Sequence, residues 1–152
     1  MNGIKLRGLG RCVPAQSVTN DDLAKTVDTS DAWITARTGI RSRRRCTEET
    51  HTELCVTAAR RALAQAGITP ADIGACIVAT VSADTIVPSA ACMLQRELGM
   101  PEDTPCFDLN AACTGFIYAL HTMECLLNAA PRKFGLVVGA EALSKVVDWT
   151  DR

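Results

Sequence analysis

The chain has 152 residues, of which 47% are hydrophobic and 22% charged, with a formal net charge of −1. That composition is typical of one globular domain with its own core. The near-neutral charge gives no reason to expect a nucleic-acid partner, and no apolar run approaches the roughly 20 residues that span a membrane. Because the first residues, MNGIKLRGLGRCVP, lack the apolar core of a secretory signal, we expect a cytoplasmic protein.

The first half of the chain predicts one strand and three helices. In chain order these are a strand over residues 4–9, a short helix capped by Asn20 and running through Val27, a second short helix over 31–38, a basic loop over 41–45 and a longer helix over 53–66. Ser30 and Thr52 can each cap a helix by accepting a hydrogen bond from a first-turn N–H group. Gly39 and Gly67 can end these helices in the left-handed conformation.

The second half of the chain alternates strands with helices. A continuous apolar run over residues 76–81 predicts a strand buried on both faces. Pro88 opens the next helix and Gly99 ends it. A strand over residues 106–109, a helix over 116–128 and a strand over 136–138 follow. This alternation predicts an α/β fold with a largely parallel sheet.

The predicted helix over residues 116–128 is apolar almost all the way round. Such a helix belongs in a protein interior. A single α/β layer of this size cannot cover it on every side, so we expect a further domain or chain to pack against it.

The eight cysteines do not follow a metal or disulfide pattern. There is no CxxC pair and only two histidines, so no metal site is expected, and a cysteine-rich metal or redox module is the weakest hypothesis. Five cysteines lie in apolar or helical segments and are predicted to be small buried hydrophobic residues: Cys55, Cys76, Cys92, Cys106 and Cys125.

Cys113 lies between a predicted strand and the start of the apolar helix. A helix N-terminus favours a thiolate, and a tight strand-to-helix turn can direct a side chain into the crevice at the carboxyl end of a sheet. This placement alone leaves two interpretations of Cys113 open: a catalytic nucleophile, or one more buried structural cysteine. His51 and His121 are each expected to be structural or solvated, so the chain offers no evident base.

Residues 108–116 (DLNAACTGF) resemble the active-cysteine segment of the β-ketoacyl-acyl-carrier-protein synthase III family. Further stretches resemble the same family in the same order. They are residues 27–34 (VDTSDAWI), 37–41 (RTGIR), 88–92 (PSAAC), 137–141 (VVGAE) and 150–152 (TDR). Because the matches cover nearly the whole chain, the resemblance selects the nucleophile interpretation of Cys113.

The resemblance implies a thiolase-like fold, an αβαβα sandwich built of two similar halves, of which residues 1–152 are the first. It also implies a reaction. Cys113 accepts an acyl group from acyl-coenzyme A, and malonyl-acyl-carrier protein then decarboxylates and attacks the thioester. No cofactor is implied, since coenzyme A is part of the substrate. The second half supplies a catalytic histidine and asparagine, and we expect it as a second chain.

The resemblance also assigns binding residues. Trp33 and Arg152 are similar to residues that stack on either side of the coenzyme A adenine, a reasonable role for an indole and a guanidinium. Thr29 is similar to a residue that hydrogen-bonds the adenine, and Arg37 to one near the nucleotide phosphates. The basic residues between 41 and 45 would attract an acidic carrier protein, although a solvated loop is an equal interpretation.

Val87 departs from the family pattern, which often has phenylalanine in an acyl pocket of the partner subunit. The smaller valine would admit longer or branched primers, and the resemblance implies a homodimer. Two alternatives to this function stay open. One is a related condensing enzyme of polyketide, alkylquinolone or olefin synthesis. The other is a non-catalytic partner subunit, which would typically have lost the cysteine.

Overall fold

The computed structural model describes residues 3–151 and divides the chain into two compact units. The larger unit holds residues 3–12 and Thr50–Glu141, and the smaller unit holds Val13–Glu49 and residues 142–151. The strands and helices in chain order are β1 (Gln16–Thr19), α1 (Asn20–Leu23), α2 (Asp31–Thr38), β2 (Ser42–Arg45), α3 (His51–Ala66), β3 (Ile73–Ala79), α4 (Ala90–Leu98), β4 (Cys106–Leu109), α5 (Gly115–Ala129) and β5 (Phe134–Gly139).

The larger unit is built on a three-stranded parallel sheet in the order β4-β3-β5. Every residue of the central strand β3 is buried, as a strand covered on both faces requires. One face packs on α3 and α4 through residues such as Leu63, Leu94 and Leu136. The other face packs on α5 through Ile77, Ala119 and Met123. The predicted α/β class and its parallel sheet are confirmed.

Helix α3 begins two residues earlier than predicted. Its N-cap is Thr50, whose side chain accepts a hydrogen bond from the Glu53 N–H at 3.1 Å. The Glu53 carboxylate accepts in return from the Thr50 N–H at 2.8 Å, which completes a capping box. The predicted cap, Thr52, instead donates to Asp84 from a distant loop. Thr52 therefore takes part in a tertiary contact with Asp84 and does not cap the helix.

Residues 4–9 do not form the predicted strand. The segment pairs with no strand among the described residues. Instead, the backbone at Gly8 and Gly10 packs against helix α3. A Cβ on Gly8 would lie 2.3 Å from the Ala62 carbonyl oxygen, and one on Gly10 would lie 2.0 Å from that of Ala58. Glycine is required where backbone approaches a helix this closely.

Helix α5 is buried on one side only within the described chain. Ala119 and Met123 are buried against the sheet, whereas Phe116, Ile117 and Tyr118 are 42%, 63% and 55% exposed. An apolar face of that kind needs a cover, which agrees with the expectation from sequence.

All eight cysteines are free thiols. The prediction of a buried side chain is wrong for Cys125, because its position on α5 leaves it exposed to solvent.

The smaller unit contains a two-stranded antiparallel sheet that the sequence did not predict. Its strand β2 occupies the predicted basic loop and pairs with β1 from Gln16↔Arg45 to Thr19↔Ser42. Asn20 is buried beside it and donates to the Asp31 carboxylate at 2.7 Å and the Ile40 carbonyl at 2.8 Å. Helix α1 is shorter than predicted, since the N-cap is Thr19 and the helix ends at Leu23.

Among residues 3–151, none of the helices combines the length and the apolar character that crossing a bilayer demands.

Candidate active site

Cys113 lies on a strained turn between β4 and α5. The turn is a 3-10 segment over Ala112–Thr114, and Ala112 has a φ of 45°. A left-handed φ on a residue other than glycine costs roughly 1–2 kcal/mol, and such strain is concentrated at functional sites. The Thr114 N–H and Oγ1 both donate to the Ala111 carbonyl, at 3.2 and 2.9 Å. The turn is thereby fixed and presents Cys113 as an exposed thiol.

The start of α5 is set closely against the sheet. A Cβ on Gly115 would lie 3.3 Å from the Ala79 Cβ at the end of β3, so only a very small residue fits there comfortably. Strands β3, β4 and β5 are parallel, so their carboxyl ends meet at one edge. Cys113 therefore lies at the edge where ligands bind in α/β folds.

His51 is held in buried contacts between strand ends. It is fully buried, and its Nε2 lies 3.0 Å from Thr80 Oγ1 and 3.1 Å from the Ala140 carbonyl oxygen. These contacts join the ends of β3 and β5. His121 is exposed on α5. The burial of His51 among these contacts and the exposure of His121 agree with the expectation that each histidine is structural or solvated.

Cys55 lies 3.6 Å from His51 Nδ1 and resembles a cysteine–histidine pair, but it cannot act as a nucleophile at neutral pH. Burial raises the pKa of the Cys55 thiol to about 12, and the charges of Asp84 and Asp108 add to the effect. Because the thiolate is the reactive form, Cys55 is inert at pH 7.

Two carboxylates that the sequence analysis missed fix the loop between β3 and α4. Glu141 accepts a hydrogen bond from the Val81 N–H at 3.0 Å and another from Ser82 Oγ. Asp108 accepts from the Ala90 and Ala91 N–H groups, each at 2.8 Å, and so holds the start of α4. The one signal in the sequence was that both acids occur at or near the carboxyl end of a strand.

The apex of the same loop carries exposed apolar side chains. Ile86 is 95% exposed and Val87 is 84% exposed. Thr85 Oγ1 donates to the Pro88 carbonyl at 2.9 Å across the apex. The structure thus presents Val87 at the exposed apex of a loop whose base is anchored.

Asp84 is the third anchor of this loop and supports a pH-dependent prediction. Its carboxylate accepts from the His51 N–H at 3.0 Å and the Thr52 N–H at 2.8 Å, at the N-terminus of α3. Burial opposes ionisation of Asp84, but these hydrogen bonds outweigh it and lower the pKa of the carboxyl below its usual 3.8. Its stabilising effect is complete above that usual value and is lost as the pH falls through the lowered pKa.

We therefore expect Asp84→Asn to lower the free energy of unfolding by about 1 kcal/mol at pH 7, the scale of a partly exposed helix cap. The difference from the wild type should shrink towards zero as Asp84 itself becomes protonated in acid. Urea unfolding at pH 7 and at about pH 2.5 measures both values. Asp21→Asn, an exposed carboxyl on α1, is the matched control. A difference that stays constant across this range would contradict the role given to the charge.

In the smaller unit the structure brings together two of the four predicted coenzyme A residues. Trp33 and Arg37 are one turn apart on α2, and the Arg37 guanidinium lies over the indole, 4.4 Å from the ring centroid. Trp33 is 41% exposed, so indole surface stays accessible. Thr29 is half-buried just before the confirmed N-cap Ser30. Arg152 lies outside the described residues.

The arginines of β2 are committed to neutral partners. Arg44 donates to the Ala15 carbonyl at 2.9 Å, and Arg43 donates to the Val18 carbonyl at 3.1 Å. The Arg45 guanidinium lies 4.4 Å from the ring centroid of Trp149. These contacts hold the three arginine side chains in place. Because the contacted groups are neutral, they do not compensate the positive charge of the guanidinium groups.

In the described part of the chain, no group of three or more His, Cys, Asp or Glu side chains could hold a metal ion.

Solved structures place this architecture in a known class. A 3-oxoacyl-[acyl-carrier-protein] synthase III from Aquifex aeolicus superposes with a TM-score of 0.93 at 45% identity, covering 99% of this chain and 48% of that one. A priming β-ketosynthase of a polyketide pathway gives a TM-score of 0.91 at 36% identity, covering 97% of this chain and 44% of that one. The fold is one αβα half of the αβαβα sandwich of the thiolase-like condensing enzymes.

Sequence comparison then narrows the class to a family. The β-ketoacyl synthase III of Clostridium acetobutylicum is 48% identical over 152 residues, which are 100% of this chain and 46% of that protein. The corresponding Neisseria gonorrhoeae protein is 48% identical over 153 aligned residues, which cover 100% of this chain and 48% of that protein. The family model for 3-oxoacyl-[acyl-carrier-protein] synthase III matches residues 107–152. The chain belongs to the β-ketoacyl-[acyl-carrier-protein] synthase III family and spans about half the length of these relatives.

Proposed function

We propose that this chain is the nucleophile-bearing half of a condensing acyltransferase that starts fatty-acid synthesis. The observation that carries the proposal is the exposed Cys113 thiol on a strained strand-to-helix turn, in a chain 48% identical to a β-ketoacyl synthase III. Residues 1–152 would form the N-terminal half, and the C-terminal half would be supplied as a second chain or as a continuation of this one.

Two chemical steps follow from a cysteine nucleophile. The Cys113 thiolate attacks the thioester carbonyl of acyl-coenzyme A, and coenzyme A leaves as its thiol after taking up a proton. Malonyl-acyl-carrier protein then loses carbon dioxide, and the carbanion formed attacks the acyl-cysteine carbonyl. The carbon–sulfur bond breaks, which releases the β-ketoacyl product and regenerates the thiolate. No cofactor is needed for either step.

The geometry of the turn indicates which backbone group could stabilise the oxyanion. The Thr114 N–H is bonded to the Ala111 carbonyl, and the Gly115 N–H to the Ala112 carbonyl. The N–H of Cys113 itself is therefore the donor we assign to the developing negative charge. The proton acceptor would come from the C-terminal half, where the family resemblance places a histidine and an asparagine.

Locating a transferred acyl group tests this proposal. The chain is mixed with a C-terminal half, incubated with radiolabelled acetyl-coenzyme A and digested, and the labelled peptide is identified by mass spectrometry. We expect the label on the peptide that holds Cys113. Label on Cys125, the other exposed cysteine, would overturn the assignment, and so would a complete absence of label.

For coenzyme A we propose that the adenine stacks on the accessible indole face of Trp33, with Arg152 on its far side. Arg37 supports the indole and lies near the phosphates, and Thr29 hydrogen-bonds the adenine. A flat ring stacked on an indole contributes on the order of 1 kcal/mol beyond the buried area.

Trp33→Ala should therefore raise the KM for acetyl-coenzyme A by about tenfold while kcat changes little, because the adenine is remote from the reacting carbon. Steady-state kinetics of the assembled enzyme measure the two constants separately. Trp33→Phe should recover most of the loss. Trp149→Ala, which removes the other arginine-stacked indole of this unit, is the control. An equal rise in KM for Trp149→Ala would contradict the assignment.

For the acyl pocket we propose a homodimer in which Val87 reaches into the site of the partner subunit. Its position at the exposed apex of an anchored loop supports this role. Val87→Phe is expected to reduce kcat/KM for longer primers more than for acetyl, because the larger ring fills the pocket. A comparison of acetyl- and hexanoyl-coenzyme A measures the effect, and equal loss on both primers would contradict it.

A second candidate function is chain initiation in polyketide synthesis. The similarity to a polyketide priming ketosynthase, at 36% identity, favours it. A non-catalytic partner subunit is not favoured, because Cys113 is retained. Acyl-coenzyme A and malonyl-acyl-carrier protein stay the proposed reaction partners, with the cytoplasm as the proposed location.

A further inference from the structure

The larger unit holds a pair of neighbouring cysteine thiols outside the Cys113 turn. Cys76 of β3 and Cys106 of β4 are direct partners in the parallel pairing of these strands. Both side chains pack on the face of the sheet that α3 and α4 cover. The two thiols also form a hydrogen bond with each other. The fold therefore brings together two sulfur atoms that are far apart in the sequence.

The two thiols differ in exposure. Cys76 is 0% exposed, because β3 is the central strand of the sheet. Cys106 lies on the terminal strand β4 and is only half-buried. Cysteines enclosed in a core are inert, whereas reactive cysteines are partly exposed. A small reagent in solution therefore reaches Cys106 before it reaches Cys76.

The hydrogen bond between the thiols adds a chemical difference. The Cys76 S–H donates to the Cys106 sulfur, and this bond lowers the pKa of Cys106 below its usual value although burial opposes the change. The same bond raises the pKa of Cys76, and burial raises it further. Since the thiolate is the attacking form in thiol–disulfide exchange, Cys106 is the nucleophile of the pair and Cys76 is its protonated neighbour.

The spacing of the strands permits a disulfide but strains it. Neighbouring strands are about 4.8 Å apart. A disulfide joins Cα atoms roughly 4.4–6.8 Å apart and prefers Cβ atoms roughly 3.5–4.5 Å apart. Paired residues at the strand spacing satisfy the first condition and slightly exceed the second. The bond can thus form after a small shift of the terminal strand, and its strain makes it easy to reduce again.

We propose that Cys106 and Cys76 form a reversible modification site for low-molecular-weight disulfides such as oxidised glutathione. The Cys106 thiolate attacks one sulfur of the reagent, whose S–S bond breaks, and one glutathione leaves and takes up a proton. Cys76 then gives its proton to solvent and attacks the Cys106 sulfur. The second glutathione leaves as a thiol, and a Cys76–Cys106 disulfide remains. The protein loses two protons and two electrons, and the reagent gains them as two thiols.

The first step prepares the second. The hydrogen bond to the Cys106 sulfur is the largest cause that raises the pKa of Cys76. Once Cys106 is bonded to glutathione, its sulfur carries no negative charge to hold the Cys76 proton. The second attack is also intramolecular between strand neighbours, which favours it over reaction with a further molecule from solution.

The other thiols on this face of the sheet are less suited to the reaction. Cys92 of α4 is half-buried like Cys106, but its Sγ lies 3.7 Å from the Cys106 carbonyl oxygen, so its hydrogen bond is to backbone and not to a thiol. Burial raises the pKa of Cys55 to about 12, which keeps that thiol protonated. Cys92 is therefore the matched control for Cys106.

Disulfide mapping of the oxidised protein tests the site. The 152-residue chain is incubated under native conditions with oxidised glutathione, its free thiols are alkylated, and it is digested with trypsin and a protease that cleaves before aspartate. This digest places Cys76 in peptide 72–83, Cys92 in peptide 84–96 and Cys106 in peptide 103–107. We expect mass spectrometry to find peptides 72–83 and 103–107 joined, and reduced glutathione added before digestion to separate them.

Single variants show which sulfur attacks first. Cys76→Ser keeps a hydrogen-bond donor beside Cys106 but removes the second thiol, so one glutathione should remain on Cys106. In Cys106→Ser, the buried Cys76 should take up glutathione at least about tenfold less. Cys92→Ser should form the Cys76–Cys106 disulfide as the wild type does. Urea unfolding checks that each variant is folded.

Several results would overturn the proposal. They are a disulfide between Cys92 and Cys106, equal glutathione uptake by Cys76 and Cys106 in the two variants, or no oxidation of either cysteine in the wild type. A sample oxidised in concentrated urea is the reference, and an equal yield of the Cys76–Cys106 disulfide there would show that the fold does not select the pair. Cys113 lies in a separate peptide, 108–132, and the measurement involves no acyl transfer. The proposal therefore stands or fails independently of the proposed function.

Discussion

Replacing Cys113 with serine is expected to lower acyl transfer from acetyl-coenzyme A by at least about 10³-fold in the assembled enzyme. A serine hydroxyl is a far weaker nucleophile than a thiolate at neutral pH, and a turn that suits a cysteine need not place a base beside a hydroxyl. The burst of bound radiolabel in a single turnover measures the loss directly, separately from later steps.

Two controls make that result specific. Cys125→Ser removes the other exposed thiol and should leave the burst unchanged. Urea unfolding should give Cys113→Ser nearly the same stability as the wild type, because the side chain is exposed and the strain at Ala112 resides in the backbone. Undiminished transfer by Cys113→Ser would refute the nucleophile assignment and, with it, the proposed function.

The largest stability effect is expected at Gly10. A Cβ there would lie 2.0 Å from the Ala58 carbonyl oxygen and 2.6 Å from the Ala62 nitrogen, both in the backbone of α3. Backbone of a helix cannot move aside as the end of a flexible side chain can. We therefore expect Gly10→Ala to lower the free energy of unfolding by about 3 kcal/mol, at the upper end of the usual overpacking range.

Gly67→Ala is the matched control for the Gly10 variant. Gly67 ends α3 with a φ of 68°, but a Cβ there would meet no atom within 4 Å. Only the left-handed backbone opposes the substitution, at a cost of about 1 kcal/mol. Chemical denaturation of both variants gives the two values. A loss at Gly10 no larger than at Gly67 would show that the N-terminal segment is not held on α3.

Local chemistry was enough to predict many elements of the fold. The bounds of β4 were predicted correctly, and Gly39, Gly67 and Gly99 end helices in the left-handed conformation, as their positions suggested. Ser30 caps α2 as expected. These features depend on a few neighbouring residues, since caps and glycine stops are satisfied within one turn of a helix.

The sequence by itself also determined the cysteine to examine and the family to which the chain belongs. Cys113 was singled out by its place between a strand and a helix, and the motif around it indicated the β-ketoacyl synthase III family, which the comparisons confirmed. Such motifs are readable because the residues that form the turn are consecutive. The role of Cys113 in catalysis stays a prediction.

Only the tertiary structure decided which partners the remaining polar residues have. Asp84 caps α3 from 32 residues away, and His51 bonds the carbonyl of Ala140 at a separation of 89 residues. Residues 4–9 have the composition of a strand but pair with no strand within residues 3–151, and a strand exists only where another backbone completes its hydrogen bonds. The strain at Ala112 depends on how β4 and α5 are placed around the turn. Each of these features requires groups that are distant in sequence to meet, which no local pattern encodes.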